Sequence, residues 1–231
     1  MKQKVQAGLI LSIIFLAATT FGQTKRPESE KINDGKKTAK TYLDLMVNGA
    51  STSLNYGGAN SSLTDYKKSA KGIHAGASFQ AGITPGFSLV SEIYFIRKGG
   101  ELKANNPLTT TASTLRLNTL ELPVLARFHL GKFYMNAGPS LGYNLSGKRE
   151  INDKSSNLSF KNSDGGFKRL DAGIQMGGGF EFPLKKKRVA LDIRYVYGLT
   201  NIAHGQEIYN RALMISVHFS KRWKTNPLGR N

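Results

Sequence analysis

Between Tyr42 and Trp223 the chain alternates apolar with polar or small residues at a period of two, in eight separate runs. Such alternation marks strands with two unlike faces. The seventh run is the plainest: Val189, Leu191, Ile193, Tyr195 and Tyr197 share one face, and Ala190, Asp192, Arg194 and Val196 the other. The sixth sets Leu170, Ala172, Ile174, Met176, Phe180 and Phe182 against Asp171, Gly173, Gln175, Gly177, Gly179 and Glu181. The fifth sets Phe133, Met135, Ala137, Leu141, Tyr143 and Leu145 against Tyr134, Asn136, Gly138, Ser140, Gly142 and Asn144. In the eighth, Leu213, Ile215, Val217 and Phe219 oppose Met214, Ser216 and His218. Residues 72–83 and 87–98 behave alike, residues 42–54 alternate more faintly, and no segment carries a helical period. In the fourth run Leu115 and Leu117 fall on the opposite parity from Leu120, Leu122, Val124 and Phe128. A bulge near Asn118–Thr119 reconciles them.

Residues paired across an antiparallel hairpin point to the same face. Leu130 and Phe133 flank the turn Gly131–Lys132, a Gly-X pair suited to a two-residue hairpin, and that register matches Phe128 with Met135, Ala126 with Ala137 and Leu122 with Leu141. Ile83 and Phe87 flank residues 84–86, and Leu184 and Val189 flank residues 185–188, again joining apolar face to apolar face. The remaining connections, near residues 55–70, 99–112, 148–167 and 203–209, are longer and polar. Short turns at one end and long loops at the other are the plan of an outer-membrane barrel with periplasmic turns. The expected fold is therefore all-β: an eight-stranded antiparallel up-and-down transmembrane β-barrel over residues 42–223, with both termini in the periplasm.

The polar face must then look inward. It carries Glu92, Glu121, Arg127, Asp171, Glu181, Asp192 and Arg194, and a cation facing lipid at the midplane costs about 2–4 kcal/mol. A narrow interior is filled by side chains, so paired charges would plug it; an ion or proton path is the functional alternative. Five acids against two arginines leave the expected lumen acidic on balance. Aromatic residues gather where strands end: Phe87, Phe128, Phe133, Phe182, Phe219 and Trp223 toward the short turns, and Phe95, Tyr143 and Tyr197 toward the loops. Interfacial girdles look like this. A soluble lipocalin-like barrel, which turns its apolar face inward, is the competing architecture.

The segment before the barrel reads as an address. Lys2 and Lys4 precede an apolar stretch from Ala7 to Ala18 and then small residues, the layout of a cleavable signal peptide over residues 1–22. That stretch is short of the ~20 residues that span a bilayer as a helix. Residues 23–41 form a polar periplasmic linker with too few apolar groups to order itself, and residues 224–231 a polar tail. The formal net charge of +18 ordinarily raises nucleic acid as a partner. Export argues against that, and loss of Lys2 and Lys4 lowers the charge to +16. The remaining basic residues crowd the long loops: Lys67, Lys68 and Lys71, then Lys148, Arg149, Lys154, Lys161, Lys168 and Arg169. Outer-membrane lipid and phosphorylated lipopolysaccharide are the expected counterparts, with simple loop solvation as the alternative.

Candidate chemistry is thin. With no cysteine the chain has no disulfide scaffold, cysteine-ligated zinc, thioether-bound haem or iron–sulfur cluster. Residues 138–142 match G-x-S-x-G, but a nucleophile elbow needs a strand-to-helix turn, and alternation runs straight through Ser140. His218 and Ser220 stand two apart, as in lipid A deacylases, but at the periplasmic end, in the wrong leaflet for lipid A. His74, His129, His204 and His218 lack metal-ligand spacing; His129 is expected opposite Tyr134 as a hydrogen-bonding pair. Gly177-Gly178-Gly179 is followed by neither Lys-Ser/Thr nor a helix, so its role is steric. No cofactor and no metal is expected, and no catalytic residue is assigned. A lipid-modifying enzyme and a narrow pore remain the alternative functions, and the oligomeric state is open.

The run Leu120-Glu121-Leu122-Pro123-Val124-Leu125, a short turn, and then Tyr134-Met135-Asn136-Ala137-Gly138-Pro139-Ser140-Leu141-Gly142-Tyr143 resembles the PorT-like outer-membrane β-barrel family of Bacteroidetes. The resemblance implies a small outer-membrane barrel inserted by the barrel assembly machinery, in a family mostly without assigned activity. Its specific motif covers only the fourth and fifth runs. The tail at residues 224–231 departs from the usual aromatic C-terminus, a role that falls to Trp223.

Overall fold

The computed structural model describes residue 39, residues 41–184 and residues 187–222. The expected signal peptide, most of the linker, Lys185, Lys186, Trp223 and the tail lie outside the described residues. Eight long strands make the barrel: β1 (Tyr42–Tyr56), β2 (Ala70–Thr84), β3 (Phe87–Leu102), β4 (Ser113–Leu130), β5 (Phe133–Ile151), β6 (Leu170–Leu184), β7 (Lys187–Gly198) and β8 (Ile208–Arg222). Each pairs antiparallel with its neighbour in the chain. β8 returns to β1, from Tyr42 opposite Arg222 to Tyr56 opposite Ile208, so the sheet closes and the barrel has no open edge. The short hairpins and the chain ends at Tyr42 and Arg222 share one end, the turn end; the long connections crown the other, the loop end.

The strands run further into the loops than alternation alone suggests. Lys67–Lys68 pairs with Leu102 and Glu101, and Lys154–Asn157 folds back on the tip of β5. A 3-10 helix, Gly58–Tyr66, joins β1 to β2. Along β7 the alternation is unbroken: Arg188, Ala190, Asp192, Arg194 and Val196 are buried, whereas Leu191, Ile193, Tyr195 and Tyr197 are exposed. The same outward band includes Leu45, Val47, Ile93, Met135, Met176 and Ile215. So long an apolar surface on a monomer is a membrane-facing one.

Three details differ from the expected pattern. Thr84 pairs with Phe87 across Pro85 and Gly86, and a register shift between Gly82 and Thr84 absorbs Ile83, so this turn has two residues rather than three. In the third hairpin Val189 pairs with Phe182 and Leu184 with Lys187. Arg188 is therefore a strand residue pointing inward, not part of a loop. The bulge sits on β5 rather than β4: Asn118 pairs with Ser146 and Thr119 with Asn144, which leaves Leu145 as the extra residue. β4 keeps one parity throughout, so Leu115 and Leu117 face the interior, under loops that supply apolar partners.

Two glycines have evident backbone reasons. Gly131 takes φ +70° at the β4–β5 hairpin, a region that favours residues without a side chain. A Cβ on Gly179 would lie 2.3 Å from both the Tyr134 hydroxyl and the Leu191 carbonyl oxygen. Gly179 thus makes room for the Tyr134 ring. Gly179→Ala is expected to lower the unfolding free energy by about 1–3 kcal/mol, measured by urea unfolding in lipid vesicles. Gly86→Ala, with open space around its site, is expected to leave stability unchanged in the same assay.

Candidate functional site

At the turn end the lumen holds a network of charge. Arg194 on β7 grips Glu92 on β3 with two hydrogen bonds of 2.6 and 2.7 Å and also pairs with Asp192. Asp192 accepts from Asn136 Nδ2 at 2.7 Å, and Asn136 Oδ1 accepts from Arg127 Nε at 2.8 Å. Arg127 and Arg188 both donate to Gln80 Oε1, at 2.8 and 2.9 Å. Arg188 also reaches Glu181 at 2.6 Å and Asp44 at 3.1 Å. Arg127 lies over the Tyr134 ring at 4.0 Å and Arg188 over the Tyr42 ring at 3.9 Å. Forked, charge-assisted contacts of this kind are the form in which buried ions become tolerable.

Above this network lies an apolar layer of Met46, Ala50, Tyr94, Ile96, Val196, Ala212 and Met214. Tyr94 accepts a 2.8 Å hydrogen bond from Gln175. Next comes a second ionic knot: Lys98 Nζ lies 2.8 Å from Glu121 and 2.9 Å from Asp171. Asn210 and Thr200 also donate to Asp171, at 2.8 and 3.1 Å. An apolar cap closes the loop end, where Leu54, Leu63, Leu115, Leu117, Phe167 and Ile202 pack together. One side of the lumen is different. On β8, β1 and β2, the Ser216, Asn48 and Ser78 polar atoms and both ring nitrogens of His218 are buried without hydrogen-bond partners, the setting in which internal water sits.

The interior positions anticipated from alternation all face the lumen. Glu92, Glu121, Arg127, Asp171, Asp192 and Arg194 are buried, and Glu181 stands nearer the turn-end mouth. Among the described residues three further fully buried carboxylates, lysines or arginines share the interior: Asp44, Lys98 and Arg188. Six acids thus meet four bases, which narrows the acidic imbalance expected from five and two. The parity signal for each was present. Lys98 is six residues from Glu92, Arg188 six from Arg194, and Asp44 two from the inward Met46.

The outer rim at the loop end is basic, with Lys67, Lys68, Lys71, Lys148, Lys154 and Lys161 exposed. Lys168 is partly buried, and its carbonyl accepts from Asn144 at 2.8 Å. Arg169 donates to the Asn144 and Leu145 carbonyls and stacks on Phe160 at 4.4 Å. Arg149 departs from the expected outer placement. The Leu145 bulge reverses the parity of the β5 tip and turns Arg149 inward, its guanidinium 5.9 Å from the Phe167 ring. Three outward cations were not anticipated as rim residues: Arg97, Arg116 and Arg211, the last 3.6 Å above the Tyr197 ring. They stand just past the apolar rungs of their strands, a position read from register rather than composition.

The other singled-out residues fall into place around this frame. His129 is opposite Tyr134 in register, but the rings are 6.4 Å apart and His129 Nε2 instead lies 2.9 Å from Ser88 Oγ. The expected hydrogen-bonding pair is therefore replaced by a cross-strand one, because Tyr134 tips toward Arg127. Ser140 is buried in the middle of β5. His218 Nδ1 lies 3.5 Å from Asp44, and Ser220 accepts from Arg188 Nε at 3.1 Å, both inside the turn end. Among the described residues no cluster of metal-ligating side chains occurs.

A closed eight-stranded barrel with an apolar outside and an ion-paired inside defines a small outer-membrane barrel. The chain belongs to the outer membrane protein beta-barrel domain family, which matches residues 21–204. Its fold is similar to the attachment invasion locus protein Ail of Yersinia pestis (11% identity, TM-score 0.43, covering 78% of this chain and 99% of that one). It is similar also to Neisserial surface protein A (12%, 0.46, 78% and 97%) and to OprG from Pseudomonas aeruginosa (10%, 0.45, 82% and 99%). No curated protein matches the chain.

Proposed function

We propose that this protein is a non-enzymatic surface module of the outer membrane, which seals its own lumen and presents a basic rim to phosphorylated lipopolysaccharide. The observation that carries this reading is the loop end: an apolar cap closes the interior there, while lysines and arginines stand exposed around it. In this reading the turn end and both termini are periplasmic, and the loops face outward. In the same reading the β4–β5 motif, which resembles that of the PorT-like barrels, supports insertion by the barrel assembly machinery after removal of residues 1–22. Each cation near an anionic membrane surface contributes up to about 1 kcal/mol. The variant Lys67→Gln/Lys68→Gln/Lys71→Gln is therefore expected to bind lipopolysaccharide vesicles about tenfold more weakly at low salt, with the difference vanishing at high salt. Equal binding by variant and wild type at low salt would remove the idea.

One observation favours a second reading, a narrow pore: the unpartnered polar atoms of Asn48, Ser78 and Ser216. Planar-bilayer recording separates the two. A sealed barrel gives no reproducible conductance steps, whereas steps altered by Arg127→Gln or Arg194→Gln would establish a path through the lumen.

A further inference from the structure

The outer wall of β3, β4 and β5 changes character along one level of the barrel. Phe95, Leu120 and Tyr143 face outward side by side in register. One rung toward the loop end stand Arg97, Asn118 and Ser146, and one rung further Gly99, Arg116 and Lys148. A rung is about 6.8 Å along a strand. Allowing for strand tilt, the cations lie about 5–10 Å beyond the last apolar rung, at the depth of lipid headgroups.

Arg97, Arg116 and Lys148 line a cleft of about 400 Å³ together with Asn118, Glu150 and Ser155. Among the described residues Arg97 and Lys148 have no acidic partner within 4.0 Å. Arg97 Nε donates only to Asn118 Oδ1, at 3.3 Å, and Asn118 in turn donates to Ser146 at 2.9 Å. Arg116 Nη2 is held by Glu101 at 3.1 Å, while its Nη1 is covered and has no acceptor in the protein. The Arg116 side chain is still 29 % exposed at the cleft wall, so its positive charge meets an anionic oxygen that enters. Glu150 in the wall and Glu101 on Arg116 make a phosphate less welcome than neutral groups would, but three cations outweigh the two acids.

We propose that this cleft binds the phosphate monoester headgroup of a membrane-anchored glycolipid, whose acyl chains lie along Phe95, Leu120, Tyr143 and the apolar rungs below. The proposal rests on the loop end facing the outer leaflet. It adds a defined site on the barrel wall to the general electrostatic attraction of the loop lysines. The donors are fixed on three paired strands, so one lipid is held at a defined place instead of a diffuse counterion layer.

The test uses the full mature chain refolded in detergent and native mass spectrometry with bisphosphorylated lipid A, phosphate-free lipid A and inorganic phosphate as probes. Wild type is expected to hold bisphosphorylated lipid A about tenfold more tightly than the phosphate-free form. Arg97→Gln/Arg116→Gln/Lys148→Gln should lose that preference, and Lys67→Gln/Lys68→Gln/Lys71→Gln should keep it. Lys148→Gln alone, which removes no hydrogen bond or ion pair of the protein, should lower it about threefold and carries the test if the triple variant does not fold. An unchanged preference in a folded triple variant, or in Lys148→Gln alone, overturns the site. Loss of preference in the loop variant but not in the cleft variant overturns it while leaving the basic-rim reading intact. Displacement of lipid A by excess inorganic phosphate overturns the lipid assignment in favour of a soluble phosphate ester. A wild type indifferent to phosphorylation overturns both the site and the broader function.

Discussion

Arg194→Met is expected to lower the unfolding free energy of the barrel by about 3–5 kcal/mol, the usual consequence of stranding buried charges. Arg194 is completely enclosed, and among the described residues it alone neutralises Glu92, through two hydrogen bonds, while also pairing with Asp192. Removing it leaves two buried carboxylates near one another. Among the described residues Asn136 remains as a hydrogen-bond donor to Asp192, and a neutral amide cannot replace a guanidinium. The measurement is urea unfolding in lipid vesicles, followed by the gel-mobility difference between folded and unfolded barrel. Adding Glu92→Gln and Asp192→Asn to Arg194→Met should restore most of the loss, because a neutral, well-filled interior is often as stable as an ion-paired one. If Arg194→Met alone unfolds at the wild-type urea concentration, the network does not hold the barrel together.

The second large effect concerns the opposite face of the same strand. Ile193 is half exposed in the middle of β7, between Gly178 on β6 and Ile215 on β8. Ile193→Arg is expected to cost about 2–4 kcal/mol in a bilayer, the depth-dependent penalty for a cation at the midplane. Ile193→Leu should fall within about 0.5 kcal/mol of wild type, as a volume-conserving change on an outward face. The pair of neighbours makes a stringent test: Arg is required at position 194 and excluded at position 193. Were this same barrel surrounded by water instead of lipid, the outward position 193 would accept arginine freely. Tolerance of Ile193→Arg in vesicles would therefore falsify the membrane-facing assignment of this band.

Much of the barrel could be read before any coordinates. Strand number, the direction of each face in β5 to β8, and the register of the β4–β5 hairpin follow from a period of two and from the Gly131–Lys132 turn. These are local properties, since each residue's side is decided by its immediate neighbours and by the pleat. Where local reasoning failed, the cause was again physical. Leu115 and Leu117 looked misplaced because apolar residues were assigned to lipid, yet the loops build their own apolar core inside the barrel mouth. Arg188 was set in a turn because the sequence shows a basic run there, and only strand pairing reveals that it continues β7 inward.

The partners of the charges lay beyond the sequence. Glu92 and Arg194 are separated by 102 positions, and Asp44 and Arg188 by 144. No periodicity links such pairs. They meet because β8 closes on β1 and the staggered strands bring particular rungs to one height within the lumen. The same holds for the cleft at Arg97, Arg116 and Lys148, three cations on three strands brought onto successive rungs by pairing and one bulge at Leu145. By itself the sequence determined the number of strands and which face meets lipid, because alternation is encoded residue by residue. Only the tertiary structure decided which ion neutralises which and where cations gather, because those depend on closure and register across the whole sheet.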